Sequence, residues 1–178
     1  MKLDGIHHVT AITGDVTRNV EFYVGVLGLR LVAKSVNQDD PFVYHLFYSD
    51  EVGSPGADIT FFDYAGAAKG RAGAGMIHRV VWRVLSPEAL AFWEQRLAAA
   101  NVPATRSGDR VRFEDFEGLG QELVVDATQG PNARLPRVME PSRFPDARSS
   151  VDPDRPARLP VPRHGVVDTG AACCCDRG

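Results

Sequence analysis

Cysteine is absent from the body of this chain: all three stand together near its end, as Cys173-Cys174-Cys175. That excludes a disulfide framework and a paired-cysteine zinc site from everything that precedes them. Long apolar runs are missing as well. Nothing approaches the roughly 20 residues needed to span a bilayer, and the opening Met1-Lys2-Leu3-Asp4 has no apolar signal-peptide core. No membrane association and a cytoplasmic location are therefore expected. An excess of positive charge is also lacking, since a net charge of -3 supplies no field to attract nucleic acid. What remains is ordinary: 178 residues, 44% hydrophobic and 24% charged, enough to bury a core in one domain or two small ones.

The first unit opens on a short apolar strand that carries two adjacent histidines, Gly5-Ile6-His7-His8-Val9-Thr10-Ala11-Ile12. Side chains alternate along a strand, so His7 and His8 point to opposite faces. Asp15 is placed to cap a helix whose apolar stripe is Val16, Val20, Tyr23 and Leu27, with Gly28 as the left-handed residue at its end. Three β-rich runs follow at 29–36, 42–48 and 58–64, separated by Asn37-Gln38-Asp39-Asp40-Pro41 and Gly53-Ser54-Pro55-Gly56. The unit reads βαβββ. Asp39 and Asp40 belong to a capped turn, because adjacent residues diverge too far to share a metal.

After a small-residue linker the pattern starts again. Residues 76–84 form a strand, Ser86-Pro87-Glu88 starts a helix, and Leu90, Trp93 and Leu97 share its buried face. Strands at 110–114 and 121–126 follow, with a weaker one at 104–107. The expected architecture is α+β: two βαβββ modules, at 3–65 and 75–128, and a tail from 140 to 178. The helix caps register the repeat. Seven residues before Asp15 is His8, and seven before Ser86 is Arg79, so His78 corresponds to His7. A triad of His8, His78 and Glu122 therefore fails on parity. His78 reads as a half-buried polar residue on the outer face, and Phe22, Tyr23, Trp82 and Trp93 read as core.

The repeat, the opening Gly-Ile-His-His-Val-Thr, the helix Asn19-Val20-Glu21-Phe22-Tyr23 and the closing Phe116-Glu117-Gly118-Leu119-Gly120-Gln121-Glu122-Leu123 resemble the vicinal-oxygen-chelate superfamily of glyoxalases, bleomycin-resistance proteins and extradiol dioxygenases. Within it, residues 36–41 and 44–56 are similar to the hydroquinone-type ring-cleaving dioxygenases. That resemblance covers about residues 3 to 140. It implies an Fe(II) or Mn(II) centre held by two histidines and a carboxylate, open to an aromatic diol and O2. His8 sits where the family places its first metal ligand. His7 would hydrogen-bond beside the metal as a catalytic residue, although strand alternation turns it from that face. The other histidine and the glutamate come, in the family, from a later module of four.

Two modules leave such a site incomplete. The superfamily carboxylate lies four residues after the glycine of the closing strand, which gives Thr60 in the first module and Glu122 in the second. His8 and Glu122 are in register to meet across a paired-module cleft. Arg79, however, stands where a second histidine is needed, and a guanidinium cannot ligate a cation. Glu122 then reads as a solvated or hydrogen-bonded strand acid, and His45 equally as a structural residue between Tyr44 and Leu46. From Pro141 onward there are six prolines, six arginines, no lysine and no hydrophobic period, so that stretch is expected to be disordered, either as a natural tail or through a frameshift near codon 140. The function classes are a ring-cleaving dioxygenase present as an N-terminal half, or a small-molecule-binding module of resistance type without redox chemistry. Thiol-dependent isomerisation has less support with Thr60 and Arg79 at ligand positions. An exposed cleft edge leaves a homodimer open to either class.

Overall fold

A computed structural model describes residues 6–50, 53, 56–71 and 73–126. The expected tail and its cysteines lie outside the described residues. In chain order the elements are β1 (His8–Thr13), α1 (Val16–Val20) continuing as a π-helical stretch (Glu21–Val26), β2 (Arg30–Val36), β3 (Tyr44–Ser49) and β4 (Asp58–Asp63). The second set is β5 (Arg79–Val84), α2 (Pro87–Ala99), β6 (Ala104–Ser107), β7 (Arg110–Glu114) and β8 (Gly120–Val125). Two four-stranded sheets result, ordered β1-β4-β3-β2 and β5-β8-β7-β6. In each, the first and last strands run parallel and the remaining pairs antiparallel. This is the α+β pair of βαβββ modules.

The register counted from the helix caps is the register of the sheets. His8 opens β1 opposite Asp58, and Arg79 opens β5 opposite Gly120. Two residues further along, Thr60 pairs with Thr10 and Glu122 with Val81. The caps themselves are made by side chains. Asp15 Oδ1 accepts from Arg18 N at 3.1 Å, and Ser86 Oγ from Ala89 N at 3.3 Å, each satisfying a first-turn amide that has no helical partner.

The first helix departs from the regular period expected of it. After one α turn it widens to π geometry, and Leu27 N bonds to Phe22 O at 3.0 Å. A π-stretch admits an extra residue per turn; here it carries the fully buried Tyr23 and is followed, after Leu27, by Gly28, whose φ of 70° suits glycine. The strand at 76–84 is also shorter than its apolar run, so that His78 precedes β5 and is exposed rather than half-buried.

One continuous hydrophobic core joins both modules: Tyr23, Leu46, Tyr48, Ile59 and Phe61 from the first, Trp82, Leu90, Trp93, Val111 and Leu123 from the second. Burying a side chain of this size contributes about 1.5–3 kcal/mol. Its polar seam is hydrogen-bonded. Tyr23 Oη donates to Asp115 Oδ2 at 2.9 Å and accepts from Gln121 Nε2 at 3.2 Å, and Gln121 Oε1 accepts from Trp82 Nε1 at 2.8 Å. Gly14 N donates to Glu117 Oε1 at 2.7 Å, and the Arg96 guanidinium reaches the carbonyls of Val26 and Gly25 at 2.6 and 2.8 Å. The core occupies the helix-covered side of each sheet, which leaves the opposite face of each sheet open. Among the described residues no helix is long and apolar enough to cross a membrane.

Candidate functional site

Alternation sorts the first sheet cleanly. Leu46, Tyr48, Ile59 and Phe61 turn to the core, so their neighbours His45, Phe47, Thr60 and Phe62 join His8 and Thr10 on the open face. Thr60 Oγ1 donates to Thr10 Oγ1 at 2.9 Å. The His45 ring lies 4.0 Å from the Phe47 centroid and 4.2 Å from that of Phe62, forming an aromatic wall. Its Nε2 is buried and has no hydrogen-bond partner. Burial, and then the proximity of His8, hold the His45 imidazole below its ordinary pKa, so it is neutral at neutral pH.

His7 lies outside β1, so strand alternation does not govern it. Its Nδ1 stands 3.0 Å from His8 Nδ1, and 4.0 Å from Asp58 Oδ2, too far for a hydrogen bond. The two imidazole nitrogens can bond only if one donates and the other accepts. When His8 donates, its Nε2 keeps a free lone pair. Asp58 Oδ1 beside them is buried without a partner.

The equivalent face of the second sheet is built differently. Arg79, Arg110 and Arg112 converge on Glu122, whose side chain is 1% exposed. Its Oε1 accepts from Arg110 Nη1 at 2.6 Å, and its Oε2 from Arg112 Nε at 2.9 Å and Arg79 Nη1 at 3.1 Å. Burial pushes this carboxyl up, but the hydrogen bonds and charges of Arg110 and Arg112 outweigh it and hold Glu122 below the usual carboxylate range. Three guanidinium groups therefore fill the surroundings in which Glu122 was in register to meet His8. Of the two expected forms of the strand acid, Glu122 is the hydrogen-bonded one, buried and paired three times.

A metal ion needs several donors converging on one point. Among the described residues no group of three or more His, Cys, Asp or Glu side chains is placed to hold one. His8 is thus a single imidazole donor with His7 as its hydrogen-bond partner, and these residues do not by themselves fit a two-histidine, one-carboxylate centre. Sequence reasoning set Arg79 at the ligand-equivalent position but read His45 as equally structural and left out Arg110 and Arg112. Alternation against Leu46 and Tyr48, and the Arg110-Val111-Arg112-Phe113 pattern, carried the signal for both.

Two repeated βαβββ sheets, each with one open face, define a glyoxalase-type fold. The sequence profile of the Glyoxalase/Bleomycin resistance protein/Dioxygenase superfamily matches residues 5–123, and the chain belongs to that superfamily. It is 50% identical over 127 residues to the "Putative ring-cleaving dioxygenase MhqO" of Bacillus subtilis, covering 69% of this chain and 40% of the relative. With "Putative ring-cleaving dioxygenase MhqA" of the same organism it shares 46% over 134 residues, covering 72% and 42%. It is 32% identical over 137 residues to the chlorohydroquinone/hydroquinone 1,2-dioxygenase of Sphingobium indicum, covering 72% and 42%. A crystal structure of a "putative dioxygenase" from Bacillus subtilis superposes with a TM-score of 0.64 at 49% identity, covering 68% of this chain and 40% of that one. The chain thus spans about two-fifths of the length of the curated relatives it matches.

Proposed function

We propose that this chain supplies the first metal ligand, His8, of a ring-cleaving dioxygenase acting on a hydroquinone-type aromatic diol and O2. Fe(II) or Mn(II) would be the metal, and the second histidine and the carboxylate would come from another pair of βαβββ modules. The observation that carries the reading is the His7–His8 contact on the open face: a donated Nδ1 proton orients the His8 ring and leaves Nε2 available. The aromatic wall of Phe47, His45 and Phe62 supports an aromatic ligand beside it. The names of the relatives support the reaction class.

The test mixes the full chain with the separately produced remainder of MhqO under anaerobic Fe(II). Iron content and hydroquinone-dependent O2 uptake are then measured. Neither partner alone is expected to hold stoichiometric iron; together they take it up and consume O2, and His8→Ala abolishes both. His7→Ala is expected to weaken iron affinity by about 10–100-fold. Unchanged iron and O2 uptake in His8→Ala would overturn the assignment. The aromatic wall also favours a second reading, a binding module of resistance type; hydroquinone binding that is indifferent to chelator, with no iron retained by any mixture, would select it.

A further inference from the structure

The open face of the second sheet carries more positive charge than its one buried acid uses. Glu122 engages a single N–H of each of Arg79, Arg110 and Arg112, and these side chains remain 36%, 46% and 49% exposed. Glu122 draws the three guanidinium groups together, so an arriving anion meets N–H donors that are already gathered. Arg110 also faces Asp109 at 3.6 Å. Among the described residues, Arg79 and Arg112 have no second ion-pair or hydrogen-bond partner.

Both of those arginines line a cleft of about 420 Å³, within the range of small-molecule sites. Thr105 adds a hydroxyl to its wall, and Pro103 adds apolar surface. A bare inorganic ion would leave that surface uncovered. Glu114 and Asp115 also stand on the wall and oppose a high negative charge, which favours a monoanion over phosphate.

We propose that this cleft binds a small organic carboxylate, its carboxylate on the exposed sides of Arg79 and Arg112 and its apolar body against Pro103. Where the first module presents His8, the second presents Arg79, so the repeat has one face suited to a cation and one suited to an anion. The inference rests on the second sheet alone and is independent of the role given to His8.

The test titrates the full chain calorimetrically with benzoate, with neutral benzamide, with inorganic phosphate, and with sodium chloride at matched ionic strength. Saturable benzoate binding is expected, with phosphate weaker and benzamide and chloride silent. Arg112→Gln should weaken benzoate by about tenfold or more. Because Arg112 also holds Glu122, the wild-type chain provides a second readout: the side-chain Nε–H resonances of Arg79 and Arg112 should shift on benzoate addition. Equal binding of benzamide, a response reproduced by chloride, or arginine resonances that stay fixed at saturating benzoate would each overturn the site. Phosphate binding tighter than benzoate would overturn the carboxylate assignment.

Discussion

Glu122 shows how a single side chain changes meaning with its neighbours. As a carboxylate on an alternating strand it is a candidate ligand; with three guanidinium groups on it, it is the anchor of a charged cluster. Its folded pKa lies below the ordinary value of 4.5, so its stabilisation is fully present above that value and is lost as pH falls through the folded value. Glu122→Gln should cost about 1–3 kcal/mol at pH 7, less than a fully buried pair because the arginines are half exposed to water. The stability gap between the two proteins should then shrink as pH falls from 5 toward 3, measured by urea unfolding at each pH. Asp115 works in the opposite direction: burial raises its carboxyl despite donors from Leu119, Tyr23 and Glu117, so it loses stabilisation as pH rises, but equally in both proteins. A gap that is flat across this range would show that the carboxylate charge is not what holds the cluster.

At the scale of elements, both helices depend on their first residues more than on their length. The α-helical part of the first is only Val16–Val20 before the π-stretch begins, and Asp15 caps it through Arg18 N. Asp15→Ala should destabilise the protein by about 1 kcal/mol. Ser86→Ala removes the equivalent bond from α2, a helix of 13 residues that also has Pro87 in its first turn, and should cost a similar amount or less. Thermal unfolding of both variants checks the order. The ends of these helices were legible in the sequence because capping is local chemistry: an oxygen two or three residues from the amide it satisfies. The π-stretch was not, since Tyr23 is drawn into it by Asp115 and Gln121, 92 and 98 residues away.

The two modules are held by a core that ignores the boundary between them. Tyr23 of the first module has its hydroxyl between Asp115 and Gln121 of the second, and desolvation followed by the Asp115 charge raises its pKa well above the ordinary range. Tyr23→Phe leaves Asp115 one donor short in a buried seam and should cost about 1–3 kcal/mol. Since Trp82 and Trp93 both lie in the second module, tryptophan fluorescence reports that half, and far-UV circular dichroism reports both. The two should follow one urea transition, in the wild type and in Tyr23→Phe alike. Separate midpoints would show that the modules fold independently and that the shared core contributes little coupling.

The sequence by itself determined the repeat and its register, which puts His8 and Arg79 at equivalent positions of the two modules. Those features follow from periodicity and capping, which act over a few residues. Alternation also placed Phe47 and Arg112 opposite the core-facing side chains beside them. Only the tertiary structure decided what meets across strands. It set His45 between two phenylalanines on the His8 face and closed three arginines over Glu122. It also let His7, just outside the strand, reach the ring that alternation had turned from it. The physical reason is range: backbone pattern chooses a face locally, whereas a site is made by side chains that the sheet order and core packing bring together from distant parts of the chain.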